Sequence, residues 1–218
     1  MRMLPNPAVI AGLVTRQVRS GSREGVPTKI AVARRTFATD QADLWNALTN
    51  AERIPRWFLP VSGELRVGGR YQLEGNAGGT VEQCEAPKLL ALTWEWETQV
   101  SWVRVTLSPE GDGTELELMH ESQVDPEIWG TYGPGAVGVG WDLALTGLEL
   151  HLSTGKPVDP AEGMAYPTTP DGKEFVRTAA TGWADAAIGD GEEPAAARAA
   201  AERTVRFYTV GPEDGSAS

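Results

Sequence analysis

The strongest periodic pattern of apolar residues lies between Gly133 and Leu152. Within it the apolar side chains recur every three or four residues, which places them on one face of an α-helix. These residues are Val137, Trp141, Leu145, Leu148 and Leu152. A second set, Val139, Leu143, Thr146 and Leu150, occupies another face. The pattern predicts one long helix, beginning near Pro134, that packs against protein on both sides.

Residues 28–121 show a different pattern, because apolar and polar side chains alternate there with the period of two that is typical of β-strands. Turn residues separate the apolar runs at intervals that favour an antiparallel meander. The predicted strands are residues 29–37, 63–67, 70–74, 79–85, 88–97, 100–108 and 114–122. A weaker alternation over residues 12–20 predicts an extra N-terminal strand, followed by a loop over residues 20–27. We therefore expect an α+β fold, with a curved antiparallel sheet of about seven strands around the long helix.

Two short helical segments are predicted after the strand that ends at Phe37. Asp40 is a good N-cap for a helix over residues 41–48. A second segment carries Ile54, Trp57 and Phe58, and nearby prolines limit it to a turn or two.

The composition changes after Leu152. Residues 153–169 are rich in proline and glycine, which favours an extended linker. Asp171 is then expected to cap a helix with Phe175, Ala179, Trp183 and Ala186 on one face, and Pro194 begins another helix that ends near Tyr208. We divide the chain into a domain over residues 1–153, with its core at 28–152 and its extra strand at 12–20, and a C-terminal extension over residues 154–218. The extension comprises the linker, two docking helices and a tail from residue 211 that we expect to be disordered.

Charge and cysteine content narrow the function classes. The 218 residues carry a formal charge of −11, which repels phosphate backbones and anionic membrane surfaces, so we expect neither nucleic acid nor membrane as a partner. The single cysteine, Cys84, excludes an intramolecular disulfide and a multi-cysteine metal site, and we expect it to behave as a small hydrophobe on a strand. No apolar run is long enough to span a bilayer, and no cleavable leader is recognisable, so the expected location is cytoplasmic.

A series of short motifs follows in a fixed order over about residues 30–152. They are residues 37–49, Trp57-Phe58, Gly68-Gly69-Arg70-Tyr71, Gly79-Thr80-Val81, residues 87–94, residues 113–116 and Gly140-Trp141. This ordered series resembles the START-like (SRPBCC, Bet v 1-like) superfamily, and within it the activator of Hsp90 ATPase homologue-like branch. The resemblance implies a helix-grip fold, in which a curved sheet clasps a C-terminal helix and often encloses a cavity. Its members include ligand binders, polyketide cyclases and chaperone cofactors, so the fold alone does not select a function.

His120 is the most suggestive residue for chemistry, because it lies on the inward-facing positions of the last predicted strand. It could contact a ligand or act as a general acid or base, although a histidine satisfied by neighbouring protein groups is the more common arrangement. Gly133 to Gly138 matches the spacing of a dinucleotide-binding motif, but no parallel βαβ unit surrounds it, and we interpret it as a flexible entry to the helix. Asp142 and Arg104 are expected on outward or rim positions.

The inward positions of the predicted strands and helix supply candidate ligand contacts. They are Trp57, Tyr71, Leu73, Trp94, Trp96, Val105, Leu118, His120, Val137, Trp141 and Leu145. The first hypothesis is a module that binds a small apolar or aromatic molecule between helix and sheet, with no cofactor and no metal. The alternatives are a cyclase- or dehydratase-like enzyme that uses His120, or a protein-interaction module. A homodimer through the C-terminal extension also remains open.

Overall fold

The computed structural model describes residues 6–210 and contains one eight-stranded antiparallel sheet with helices on its concave side. The strand order is β1-β2-β8-β7-β6-β5-β4-β3. The strands are β1 (Thr15–Arg23), β2 (Val26–Phe37), β3 (Val61–Gly63), β4 (Arg70–Leu73), β5 (Gly78–Glu85), β6 (Leu89–Trp96), β7 (Gln99–Glu110) and β8 (Gly113–Gln123). The helices are α1 (Pro7–Gly12), α2 (Gln41–Thr49), α3 (Pro126–Tyr132), α4 (Gly135–Thr154), α5 (Pro160–Ala165), α6 (Pro170–Gly189) and α7 (Pro194–Thr209). The predicted helix-grip fold is confirmed, since the sheet holds α4 against its concave face.

The first two strands form a longer hairpin than the sequence predicts. Residues 20–23 continue β1 and residues 26–27 begin β2, so the predicted loop shrinks to Glu24 and Gly25. Both turn residues have positive φ angles, of 53° and 82°, which fits a tight two-residue hairpin turn. A glutamate with a positive φ is uncommon, and therefore the composition of this segment did not indicate the turn.

The helices near the start of the sheet agree with their caps. The Asp40 side chain accepts a hydrogen bond from the Asp43 amide and begins α2. A short 3₁₀ turn over Ile54–Arg56 follows it. Three short elements were not predicted, namely α1, α3 and α5, of which α5 interrupts the expected linker. Each has an Asn or Asp N-cap and a proline in its first turn, but they are too short for a clear apolar period.

The C-terminal extension packs on the back of α4. Helix α6 contacts α1, α4 and β1, and its side chains Phe175, Val176, Ala179 and Trp183 are essentially inaccessible to solvent. They belong to the same apolar cluster as Val105 and Leu118 of the sheet. The face of α4 that carries Val139 is thus covered by residues of the same chain. The predicted tail at 211–218 lies outside the described residues.

Among residues 6–210, no helix combines the length and the apolar character that crossing a membrane requires.

Candidate functional site: an apolar space between helix and sheet

A recess of about 140 Å³ lies between α4 and the concave face of the sheet. Leu73, Leu92, Val103, Val105 and Leu118 form its strand side, and Trp141, Ala144 and Leu145 form its helix side. Charged side chains are absent from its lining among the described residues. Because Leu65 and Cys84 belong to the lining and are themselves exposed, the recess reaches the surface at this end.

Aromatic rings form one continuous wall of this recess. Trp57 stacks on Phe58 with centroids 5.3 Å apart, and Phe58 stacks on Trp141 at 6.3 Å. Trp94 meets Trp141 at 5.1 Å with a 60° tilt. Rings at these separations attract one another beyond their simple burial, so these contacts stabilise the wall.

The segment that carries Trp57 and Phe58 is held by hydrogen bonds from three sides. The Trp57 indole N–H donates to the Ala47 carbonyl at 2.9 Å. Arg53 donates to His151 Nε2 at 3.2 Å, and Arg56 donates to the carbonyl of Gly155 at 2.7 Å. A Cβ at Gly147 would lie 2.8 Å from the Trp57 carbonyl oxygen, so only glycine lets α4 approach this segment. The segment therefore closes one end of the recess against the C-terminal half of α4.

His120 lies behind the aromatic wall and does not line the recess. Trp141 Nε1 donates to His120 Nδ1 at 3.0 Å, which requires Nδ1 to be the acceptor and Nε2 to carry the proton. His120 Nε2 then donates to Ser101 Oγ at 2.8 Å, and Ser101 Oγ donates to the Trp94 carbonyl at 3.0 Å. Burial lowers the pKa of His120 to about 4, so the ring is neutral at physiological pH. Both ring nitrogens are occupied, and the histidine joins the two tryptophans of the wall.

A buried charged cluster lies on the opposite face of α4. Asp142 is fully buried, and its Oδ2 accepts from Arg16 Nε at 3.0 Å and from Trp183 Nε1 at 2.9 Å. Burial raises the pKa of Asp142 to about 6. Arg35, also buried, is 3.2 Å from Glu149. The expectation that Asp142 lies on an outward or rim position is wrong, because α6 covers this face, whereas Arg104 is exposed.

The glycine-rich motif before α4 is explained by close packing of the extension. A Cβ at Gly135 would lie 2.9 Å from the Thr204 side chain, and one at Gly138 would overlap the Trp183 indole. Helix α4 already begins at Gly135. The expected flexible entry is therefore a packed helix start against α6 and α7.

Eight of the eleven predicted contact residues lie around the recess: Trp57, Tyr71, Leu73, Trp94, Val105, Leu118, Trp141 and Leu145. Three do not. Trp96 is 49% exposed at the end of β6, Val137 packs elsewhere in the core, and His120 is behind the wall. The predicted strand over 63–67 is also displaced, since β3 covers Val61–Gly63 and leaves Val67 exposed. Alternation is a poor guide to burial at the last residue of a strand, which explains why Trp96 is exposed. Val67 is exposed because it lies outside β3.

Several lining residues were not predicted as contacts. They include Leu48, Ile54, Phe58, Val61, Leu65, Val81, Cys84 and Ala144. Phe58 and Ile54 share the predicted short turn with Trp57, and this proximity could have identified them as lining residues. Cys84 lies on β5 as expected for a strand residue, but it is exposed rather than packed in the core.

An antiparallel sheet that clasps a long helix, with an apolar recess between the two, defines a helix-grip protein of the START-like class. The family model described as "Activator of Hsp90 ATPase homolog 1-like protein" matches residues 38–153, which is more than half of the chain. The chain belongs to this family. A search of curated proteins finds no match.

Solved structures agree with this assignment. The solution structure of CalU16 from Micromonospora echinospora is 30% identical over 82% of this chain and 97% of CalU16, with a TM-score of 0.66. The crystal structure of the same protein is 34% identical over 65% of this chain and 87% of CalU16, with a TM-score of 0.58. An HSP90 activator from Plasmodium falciparum, 22% identical over 59% of this chain and 97% of its own, has a TM-score of 0.50 and shows the fold alone.

Since residues 1–153 make up about 70% of the chain, a match over 82% includes part of the C-terminal extension. At least part of that extension thus has a counterpart in CalU16.

Proposed function

We propose that this protein is a small-molecule binding module that holds an apolar or aromatic ligand in the recess between α4 and the sheet. The observation that carries the proposal is the lining, which presents apolar side chains and no charged group over a recess of about 140 Å³. An apolar molecule placed there leaves water without breaking hydrogen bonds of the protein.

The aromatic wall supports the same function. Trp57, Phe58, Trp94 and Trp141 present ring faces and edges that an aromatic or alkyl group can contact. Their indoles also provide a spectroscopic signal of occupancy. The hydrogen bond to His120 keeps the Trp141 ring in place before a ligand arrives, which reduces the ordering cost of binding.

The test is a binding assay with a variant that fills the recess. Ala144→Phe adds a ring to the lining from α4, and Leu150→Phe adds one on the exposed face of the same helix as a matched control. Apolar compounds of graded size are titrated while tryptophan fluorescence is followed. We expect saturable binding to the wild type and to Leu150→Phe, and at least a tenfold loss in Ala144→Phe. Equal binding to all three proteins would place the ligand elsewhere, and the proposal would be wrong.

The other hypotheses stay predictions. An enzyme that uses His120 would first have to release one of the two hydrogen bonds of the ring. A homodimer through the extension could not use the apolar face of α6 without exchange of this helix between chains, because that face already packs on its own α4 and β1. The interaction module and the cytoplasmic location likewise stay predictions.

A further inference from the structure

We infer that the group bound in the recess is a single aromatic ring that carries at most one hydrogen-bond acceptor, and that Trp94 is the residue that selects the acceptor. The inference rests on the proposed binding function and specifies the class of ligand. Three observations lead to it: the size of the recess, the hydrogen bonds of its polar groups, and the indole N–H of Trp94.

The size limits the buried part of the ligand to about one ring. A cavity of about 150 Å³ lined by aliphatic and aromatic side chains is known to bind benzene in another protein. The recess here has about 140 Å³ and a comparable lining. A fused bicyclic system would have to displace the stacked Trp57 and Phe58 or extend past Cys84 towards solvent.

The polar groups of the lining are almost all used within the protein. Tyr71 Oη donates to the Thr93 carbonyl at 2.7 Å, and Thr49 Oγ1 donates to the Trp45 carbonyl at 2.8 Å. The indole N–H groups of Trp57 and Trp141 are also engaged. A charged ligand group buried here would find no opposite charge, because no charged side chain belongs to the described lining. The ligand group is therefore uncharged.

Trp94 is the exception among the tryptophans of the lining. Among residues 6–210, no protein acceptor receives a hydrogen bond from its Nε1–H. This nitrogen is also not fully buried, because the fully buried side-chain atoms without a partner all belong to Arg35 and Asp142. The N–H is therefore at least partly accessible, and it belongs to a ring that lines the recess. An indole N–H is a donor only, so its complement on a ligand is an acceptor such as a carbonyl or ether oxygen.

The experiment compares two ligands of nearly equal shape, acetophenone and isopropylbenzene, which differ by a carbonyl oxygen in place of a methyl group. Dissociation constants are measured by calorimetry for the wild type, Trp94→Phe and Trp57→Phe. We expect Trp94→Phe to weaken acetophenone about fivefold more than isopropylbenzene, which corresponds to the loss of one hydrogen bond. The control Trp57→Phe, whose N–H is bonded to Ala47, should change both ligands by the same factor.

The outcomes separate the inference from the proposed function. Equal weakening of both ligands by Trp94→Phe would overturn the role of Trp94. Binding of naphthalene without binding of either single-ring compound would overturn the size limit while the binding function stands. If no apolar compound of any size binds, the proposed function itself fails.

A second measurement uses the unmodified protein and does not depend on whether Trp94→Phe folds. The indole N–H resonance of Trp94 is followed by ¹H–¹⁵N NMR during titration with each ligand. We expect a larger downfield proton shift with acetophenone than with isopropylbenzene, because only acetophenone accepts a hydrogen bond. Identical shifts with both ligands would contradict the inference.

Discussion

The imidazole of His120 lies between two tryptophans that line the recess, and its hydrogen bonds define its protonation state. Trp141 can only donate, so the proton of the neutral ring is on Nε2, directed to Ser101. This arrangement makes His120 a positioning residue for the aromatic wall.

Replacing His120 tests that role. His120→Phe keeps a ring of similar size but leaves the Trp141 N–H without its acceptor and Ser101 without its donor. We expect it to lower the free energy of unfolding by about 1–3 kcal/mol. His120→Gln, which offers both a donor and an acceptor, should lose less. Urea denaturation measures both, and a stability of His120→Phe at or above that of the wild type would show that the chain of hydrogen bonds contributes nothing.

The pH dependence of stability follows from the same burial. The pKa of His120 is about 4 in the folded protein and 6.5 when unfolded. The unfolded chain therefore takes up a proton first as the pH falls, and stability decreases from about pH 6.5 down to about pH 4, by up to about 3 kcal/mol. Asp142, whose pKa is raised to about 6, acts in the opposite direction over much of this range.

The test compares the unfolding free energies of wild type and His120→Gln from pH 7 to pH 4. Their difference reports the titration of His120 alone, since Asp142 is common to both proteins. We expect this difference to shrink as the pH falls. A difference that stays constant with pH would mean that His120 titrates normally in the folded protein.

At the scale of the elements, helix α4 is packed on two sides, and its glycines allow the closest approaches. Gly138 faces the indole of Trp183 on α6, and Gly147 faces the backbone at Trp57. The recess and the C-terminal extension therefore contact opposite faces of α4.

Substituting alanine for the closely packed Gly138 and for the unobstructed Gly130 distinguishes packing from helix propensity. Gly138→Ala adds a methyl group where the Trp183 ring already lies, and we expect it to lower the unfolding free energy by about 1–3 kcal/mol. Gly130→Ala, inside α3 with no atom within 4 Å of the new methyl, should instead raise it by about 0.5–1 kcal/mol. Thermal denaturation of both variants gives the comparison, and the same sign of change in both would refute close packing at Gly138.

For the whole molecule, the extension and the sheet share one apolar cluster, and Arg16, Asp142 and Trp183 join β1, α4 and α6 at its centre. The division into residues 1–153 and 154–218 stays a prediction about sequence organisation. The shared cluster nonetheless indicates that the two parts unfold together.

Hydrogen exchange measures this directly. We expect the central amides of α6 to exchange only by the global unfolding that also exposes β8, with equal free energies of opening. Helix α5, which buries no residue, provides an internal control and should exchange much faster. Early exchange of α6 while β8 stays protected would show that the extension is an independent unit.

Much of the fold could be predicted, because its signals are local. The period of α4 and the alternation of β6 to β8 follow from side chains that repeat at fixed intervals. The cap Asp40 and the first-turn proline Pro194 mark helix starts as predicted, whereas α6 is capped by Thr169 and not by Asp171. The inward position of Trp96 failed because the last residue of a strand is not covered by neighbouring elements, and the strand predicted over residues 63–67 failed because β3 ends at Gly63. The short α1, α3 and α5 failed because one or two turns do not establish a period.

The sequence by itself determined the α+β class, the long helix gripped by a meander, and eight of the residues around the recess, since each depends on neighbours along the chain. Only the tertiary structure decided that both nitrogens of His120 are occupied, that Asp142 is buried against Arg16 and Trp183, and that the glycine motif accommodates α6 and α7. These contacts join residues that are 19 to 126 positions apart, and their geometry exists only once the elements have packed.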